Sequence, residues 1–272
     1  MDILKRADHV ARPSMGLLNL DKGDKSYRLT RYAPSEALSP LVKHFWIVSW
    51  DLTGLDPYLQ HVVPNPCVNL VVERGRTFFF GPSGQKFSYL VRGKGSVFGV
   101  KFKPGGFYPF IRTPVSALYE NPLEVSGVLD IEAPQLEERL LGDGSDADKV
   151  NYMDQLLCSH LPSPDNQAVL VSQIVLQIEQ QRDMLRVDDL SAFWNMHTRK
   201  LQRLFNQYVG ISPKMVIKLY RLQNAAELME RGVDCDLVKL SQDLGYHDQS
   251  HFIKDFKSII GSTPEDYVHS RR

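Results

Sequence analysis

The stretches VDDLSAFWNMHTRKLQRLF (187–205) and LVKLSQDLGYHDQSHFIKDFK (237–257) repeat one pattern near the end of the chain. Each begins with a short apolar-periodic helix, passes through a tight turn and continues into a second helix that ends at an aromatic residue. This order is typical of a helix-turn-helix, a motif that places its second helix in the DNA major groove. Two copies predict a domain that contacts two neighbouring grooves.

The periodicity separates a buried stripe from an outer face in each copy. The predicted stripe is Leu190, Phe193, Leu201, Leu204 and Phe205 in the first copy, and Leu240, Leu244, Phe252, Ile253 and Phe256 in the second. The outer face carries polar and basic side chains that reach base edges and phosphates, namely Arg199, Lys200, Gln202, Arg203 and Asn206, then Ser250, His251, Lys254 and Lys257. At the two turns stand Asn195 and Gly245, which tolerate the left-handed backbone region.

One helix is predicted between the copies. Ser212 followed by Pro213 is typical of an N-cap and a first helical residue, and Gly232 of a helix stop. The 19 residues of Pro213–Arg231 span roughly 28 Å as a helix. Since one turn of B-DNA is about 34 Å, such a helix suits two recognition helices set one turn apart.

At this point the C-terminal segment from about Ala168 to Arg272 resembles the DNA-binding domain of the AraC/XylS family of bacterial transcriptional regulators. The resemblance covers roughly the last 105 residues. Its motifs are LQRLF (201–205), GISP (210–213), LGY (244–246), DQS (248–250), Phe252, FK (256–257), GSTP (261–264) and Tyr267. The second copy is the more diagnostic of the two.

The resemblance implies two recognition helices, about 198–206 and 249–257, inserted into adjacent major grooves. It implies base contacts by Arg199, Gln202 and Arg203 in the first helix, and by Ser250, His251 and Lys254 in the second. Phosphate or helix-end contacts are expected from Thr198, Gln249 and Lys257, and Asn206 completes the predicted DNA-binding set. The first copy departs from the family pattern, since His197 replaces the usual Ser at the helix start, Ser191 takes the usual small position and Trp194 is bulky. Either His197 or Thr198 is then the N-cap.

The charge of this segment is nearly balanced. Residues 187–272 contain 12 Lys+Arg and 11 Asp+Glu, a net charge of +1. Phosphate neutralisation supplies most non-specific affinity for DNA, so we expect that affinity to be modest and specificity to depend on base contacts. An alternative for each cation is an ordinary solvated helix face.

The sequence predicts an α+β protein with two domains. The predicted boundaries are 1–160 for the N-terminal domain, 161–167 for a proline-containing linker, and 168–272 for the all-α DNA-binding domain. Closely spaced β-branched and aromatic segments predict an antiparallel barrel or sandwich in the first domain. The expected strands are 27–32, 42–52, 59–63, 67–73, 77–80, 87–91 and 97–102, with flanking helices near 107–111, 134–141 and 149–161. In the last of these helices, Val150, Met153, Leu156, Leu157 and Leu161 form the apolar side.

The N-terminal half also looks like the sensor half of a branch of the same family, through HVVPNPCVNLVV (61–72) and VFGVKFKPGGFYPF (97–110). This resemblance implies a cupin-like β-barrel without an assigned ligand. The candidate effector-pocket residues are Trp46, Trp50, His61, Asn69 and Tyr89, each with a packed or rim position as the alternative. Asn65, beside two prolines, is expected in a turn. Because His44 and His61 are far apart and no HxH occurs, neither a metal nor another cofactor is predicted.

Composition points to a cytoplasmic protein. No secretory signal or membrane-length apolar run is found, and Cys67, Cys158 and Cys235 are too scattered to suggest paired thiols, although a redox role for Cys67 stays open. The expected partners are double-stranded DNA, a small-molecule effector, RNA polymerase for an activator, and a second copy in a homodimer, with no membrane. The helix at 149–161 is either a dimer contact or an intramolecular lid.

Three functions remain open from sequence. The first is an effector-responsive transcriptional regulator. The second is a ligand-independent regulator whose barrel serves dimerisation or a protein partner. The third is a barrel-domain enzyme or ligand carrier with a DNA-targeting module. The sequence contains no nucleophile–base pairing, metal spacing or phosphate loop that would favour an enzyme.

Overall fold

The N-terminal half forms two antiparallel sheets. The computed structural model describes residues 27–181, 183–230 and 236–269. Its strands are β1 (Tyr27–Tyr32), β2 (Val42–Asp51), β3 (Tyr58–Val62), β4 (Asn69–Val72), β5 (Phe78–Phe80), β6 (Phe87–Val91), β7 (Lys94–Phe102) and β8 (Leu123–Glu124). Six of them form a sheet in the order β1-β2-β7-β4-β5-β8, and β3 pairs with β6 in a separate two-stranded antiparallel sheet. The predicted antiparallel sheet domain is therefore confirmed, and within the described residues its strands pair as two sheets.

Residue alternation divides the large sheet into two faces. Phe45, Phe98 and Phe102 are fully buried in the domain core, because side chains at every second position point to the same face. The intervening residues of the same strands, such as Trp46 and Lys101, lie on the opposite face. That second face is covered by the two-stranded β3–β6 sheet.

Short helices close the core face. They are α1 (Tyr108–Ile111), α2 (Ser126–Leu129), α3 (Ala133–Leu141) and α4 (Asp146–Ser159), with a 3₁₀ turn at Val115–Leu118. Leu136 packs into the core, and Met153 and Leu157 do so as the apolar periodicity of their helix predicts. Leu161 does not, since α4 ends at Ser159 and leaves that side chain 44% exposed.

The C-terminal half is helical. Its helices are α5 (Asn166–Gln180), α6 (Val187–Phe193), α7 (Thr198–Leu204), α8 (Pro213–Glu230), α9 (Leu237–Asp243), α10 (Gln249–Ile260) and α11 (Pro264–His269). A π-helical segment, Phe205–Val209, extends α7 and ends at Gly210, whose amide donates to the Phe205 carbonyl at 2.7 Å. The predicted all-α domain with two helix-turn-helix units and a joining helix is confirmed.

One member of the predicted apolar stripe is misplaced. Phe193 is 57% exposed, whereas Leu190 is fully buried. The reason is that α6 ends at Phe193, so the side chain packs edge-on against the Trp194 ring at 5.8 Å, near the surface. The predicted stop at Gly232 and the thiol of Cys235 lie outside the described residues.

No helix in the described part of the chain is long and apolar enough to cross a membrane.

Candidate nucleic-acid interface and cavity

The first helix-turn-helix unit turns at Asn195 and begins its second helix after His197. Asn195 adopts a φ of 44°, the left-handed conformation that the sequence predicts there. The His197 imidazole accepts the Arg199 amide at 3.2 Å, so His197 is the N-cap and Thr198 the first helical residue. Leu201, Leu204 and Phe205 are buried below α7. The opposite face of α7 is therefore the surface that this unit presents.

The second unit has a more elaborate set of contacts. Gly245 turns with a φ of 72°, and the Asp248 carboxylate caps α10 by accepting the Ser250 amide at 2.9 Å. On α10, Asp255 accepts hydrogen bonds from Lys218 at 2.8 Å and from the Tyr246 hydroxyl at 3.1 Å. The bond from Lys218 connects α10 to the joining helix α8, and the bond from Tyr246 connects α10 to the turn that precedes it.

The predicted DNA-binding side chains share two outer surfaces. Thr198 is half-buried, and the others are exposed: Arg199, Gln202, Arg203 and Asn206 along the first unit, and Gln249, Ser250, His251, Lys254 and Lys257 along α10. His251 is the most constrained, since its ring packs edge-on against Tyr246 and its Nε2 lies 3.7 Å from Asp255. The fold thus presents both sets of donors to solvent.

The joining helix α8 is one continuous element of 18 residues. It begins as predicted, because the Ser212 hydroxyl accepts the Met215 amide at 3.2 Å and Pro213 is the first helical residue. Val216 and Tyr220 pack with the first unit, and Leu219 and Leu222 with the second. The helix therefore belongs to both cores and fixes the two units relative to each other.

Both helix-turn-helix units also contact the sheet domain. The Tyr108 ring lies 4.2 Å from that of Tyr208, and its hydroxyl accepts the Gln207 side-chain amide at 2.6 Å. At the other unit, Val63 from the β3–β4 loop is buried in the apolar cluster around α10. Local sequence patterns gave no sign of these contacts, since they join residues far apart in the chain.

A cavity of about 420 Å³ separates the large sheet from the two-stranded β3–β6 sheet. Trp46, Trp50, Asn69 and Tyr89 line it, where the sequence places candidate pocket residues. His61 does not, because alternation on β3 turns Gln60 and Val62 inward and His61 outward, where its Nδ1 lies 2.9 Å from the Ser88 hydroxyl. Asn65 also lines the cavity, and its side-chain oxygen is buried with no hydrogen-bond partner among the described residues.

The cavity contains polar residues that motif reasoning missed. Arg31, His44 and Lys101 lie on three adjacent strands and all face it. The two-residue period of a strand could have identified them from the sequence. By that period His44 shares a strand face with Trp46, and Lys101 shares one with Gly99. That pattern places them in the cavity once the strands are paired.

Burial changes the proton affinities of these groups. Desolvation, with the nearby charges of Lys101, Arg31 and Lys43, lowers the pKa of His44 to about 3, so this imidazole is neutral at physiological pH. At the far end, Tyr89 donates a short hydrogen bond to Glu73, and burial together with that bond raises the Tyr89 pKa to about 12. Burial also raises the pKa of Cys67, which disfavours a reactive thiolate and the redox role left open by the sequence.

The depressed pKa of His44 predicts a loss of stability in acid. Below an unfolded-state pKa of 6.5 the unfolded chain binds a proton at this residue, and the folded chain binds it only near pH 3. Stability therefore falls as the pH is lowered through that window, by about 2 kcal/mol between about pH 7 and about pH 5. In His44→Asn this contribution is absent. Urea titrations at the two pH values measure the difference.

The exposed His247 offers a matched control for that experiment. His247→Asn should retain the wild-type pH dependence, because its imidazole stays in solvent. An equal acid loss in wild type and His44→Asn would show that His44 is protonated in the folded protein.

Comparison with known proteins gives the domain types. Residues 190–270 match a family described as a helix-turn-helix domain, and residues 30–124 match a domain of unknown function, DUF6597. Residues 190–270 therefore form a helix-turn-helix domain. This domain covers α7, α8 and α10, the elements that carry the exposed donors and join them.

The curated relatives are regulators matched over part of their length. An HTH-type transcriptional regulator of Haemophilus influenzae is 26% identical over 36% of this chain and 32% of its own. The F1 operon positive regulatory protein of Yersinia pestis is 31% identical over 36% of this chain and 33% of its own. The HTH-type transcriptional regulator GbdR of Pseudomonas aeruginosa is 26% identical over 37% of this chain and 27% of its own. The matches span about a third or less of each relative.

Among solved structures, ToxT from Vibrio cholerae covers 90% of this chain and 98% of its own, at 13% identity and a TM-score of 0.38. The C-terminal domain of AraT from Geobacillus stearothermophilus covers 39% of this chain and 89% of its own, at 24% identity and a TM-score of 0.35. The helix-turn-helix assignment depends on the sequence match and on the helices themselves.

Proposed function

We propose that the protein is a sequence-specific DNA-binding transcriptional regulator that inserts α7 and α10 into adjacent major grooves. The observation that carries this proposal is the pair of exposed donor faces, each on the second helix of its unit, joined by the 18-residue helix α8. At 1.5 Å per residue α8 is roughly 27 Å long, near the length of one DNA turn. The relatives point the same way, towards a regulator and away from an enzyme.

We further propose that an effector in the cavity changes how the two units meet DNA. The β3–β4 loop supports this, because Asn65 and Cys67 line the cavity while Val63 packs against the second unit. In the same loop the Pro64 carbonyl accepts the Gln223 side-chain amide of α8 at 2.8 Å. An occupant that shifts this loop changes contacts to the joining helix, and it alters DNA affinity if it binds the two arrangements unequally.

The proposal is tested by capturing genomic DNA fragments on the purified full-length protein and sequencing them. We expect enrichment of a site with two half-elements about one helical turn apart. The matched control carries Arg203→Asp and Lys254→Asp, which reverse charge on both exposed faces and leave the cores intact. If the wild-type protein and the control variant recover all DNA fragments equally, the protein does not bind DNA sequence-specifically. The function would then be sought in the sheet domain.

Arg203→Ala is expected to weaken binding to the enriched site by about 1–3 kcal/mol and to relax preference at one base position. The reason is that Arg203 is exposed on α7, where a guanidinium can pair with a guanine edge. Competition binding against a site library measures both effects. Arg74→Ala, a matched loss of an exposed arginine in the sheet domain, should leave binding unchanged. Uniform weakening on every sequence would make Arg203 a phosphate contact.

A further inference from the structure

A lysine lies at the wall of the cavity in surroundings that are unusual for an amine. Lys101 is 9% exposed, in the middle of the large sheet, with His44 and Asn69 as its direct partners on the neighbouring strands. All three side chains line the cavity. Because directly opposed residues of one sheet face are neighbours, Lys101 and His44 lie side by side.

No negatively charged group is paired with the amine of Lys101 among the described residues. In residues 27–181, 183–230 and 236–269, no carboxylate oxygen is paired with its amine within the 4.0 Å of a salt bridge. Glu179 lies 3.7 Å from Lys43, and Glu73 accepts a hydrogen bond from Tyr89. The remaining charged neighbours, Arg31 and Lys43, have the same sign as the amine.

Such surroundings favour the neutral amine. Burial is the main cause that lowers the pKa of Lys101, and Lys43 and Arg31 lower it further. Cys67 and Glu179 act in the opposite direction, but burial raises the Cys67 pKa and so keeps that thiol uncharged. A desolvated lysine beside other cations is an activated nucleophile towards carbonyl carbon.

We propose that the cavity captures an aldehyde with an aromatic or aliphatic body as an imine on Lys101 Nζ. Trp46 and Trp50 supply an apolar wall for that body, and the cavity of about 420 Å³ is of the size that small ligands occupy. The proposal rests on the proposed function in one respect, namely that the captured aldehyde is the effector.

The reaction is balanced without an oxidant or a reductant. The Lys101 nitrogen attacks the carbonyl carbon, a C–N bond forms, and a proton moves from nitrogen to oxygen to give a carbinolamine. The C–O bond then breaks, and the oxygen leaves as water with a second proton from the nitrogen. The neutral His44 imidazole, with one N–H and one lone pair, relays these protons at the adjacent position.

Reductive trapping on the full-length protein tests the proposal. Cinnamaldehyde and sodium cyanoborohydride are added near neutral pH, and the intact mass and the modified peptide are determined. We expect one adduct, located on Lys101 and formed faster than on exposed lysines, because the lowered pKa of Lys101 raises the fraction of neutral amine. Lys101→Arg should abolish the adduct, and Lys103→Arg, a matched change two residues along the chain, should retain it. If Lys101→Arg does not fold, the wild-type peptide map decides alone.

Several outcomes would overturn the proposal. One is an adduct spread over surface lysines. Another is thermal stabilisation by cinnamate, the carboxylate analogue, without trapping of the aldehyde, which would make the cavity an anion site. The DNA capture experiment is independent: site enrichment without trapping rejects only the imine, whereas trapping without enrichment rejects the regulator.

Discussion

Leu204→Asp is expected to unfold the first helix-turn-helix unit. Leu204 is 5% exposed and packs in the cluster built by α5, α6, α7 and α8. The change removes a buried leucine side chain and places an unpaired carboxylate among apolar groups, and together these cost about 4 kcal/mol or more. A loss of that size exceeds what most single substitutions cause and is a large part of the stability of an ordinary domain.

The measurement is chemical denaturation followed by circular dichroism, together with DNA binding. Leu204→Met is the matched control, since it keeps the volume and the apolar character and should cost less than about 1.5 kcal/mol. The exposed neighbour Arg203→Asp should keep the fold and lose DNA binding. A folded, DNA-competent Leu204→Asp protein would show that the helix phase is wrong.

The helix phases of the C-terminal domain could be predicted because they depend on local periodicity. Apolar spacing identified Leu201 and Phe256 as buried, and turn chemistry identified Asn195 and Gly245. The exception, Phe193, stands at the last position of a seven-residue helix. At such an end the chain changes direction, and the periodicity no longer decides which side is buried.

The cavity was harder to predict, because its lining depends on which strands pair and on where each strand begins. Composition drew attention to Trp46 and Tyr89, and they do line it. Composition did not single out Lys101, because a charged side chain is typical of an exposed residue. It did suggest His61 as a pocket residue, although His61 is one position away from the inward-facing residues of β3. A one-residue step reverses the direction of a strand side chain, so only the pairing register could separate the two.

The docking of the two domains was not predictable at all from local patterns. Gln223 lies on the joining helix, yet it donates to the Pro64 carbonyl of a loop that lines the cavity. The joining helix thus contacts both helix-turn-helix units and a loop that lines the cavity. These contacts give the route by which the proposed effector would alter DNA binding.

Gly99→Ala is expected to displace Trp46 and reduce the cavity. Gly99 lies opposite Trp46 in the sheet, and a Cβ at residue 99 would lie 2.0 Å from Trp46 Cε2. The indole must therefore move, and the open direction is the cavity that it already lines. We expect a loss of about 1–3 kcal/mol, as for other overpacked positions, and a lower rate of aldehyde trapping on Lys101.

Gly127→Ala is the matched control for Gly99→Ala, because the nearest atom to a Cβ at residue 127 lies at 3.7 Å, an ordinary contact. It should leave both stability and trapping near the wild-type values. The double variant Gly99→Ala/Trp46→Phe separates overlap with the indole from a general backbone effect. If the indole is the obstacle, its removal makes the second substitution cheaper, and the two free-energy losses sum to more than the loss measured for the double variant. If the two free-energy losses are additive, the loss caused by Gly99→Ala arises in the β7 backbone and not from contact with the indole. Gly99 would then not determine the shape of the cavity.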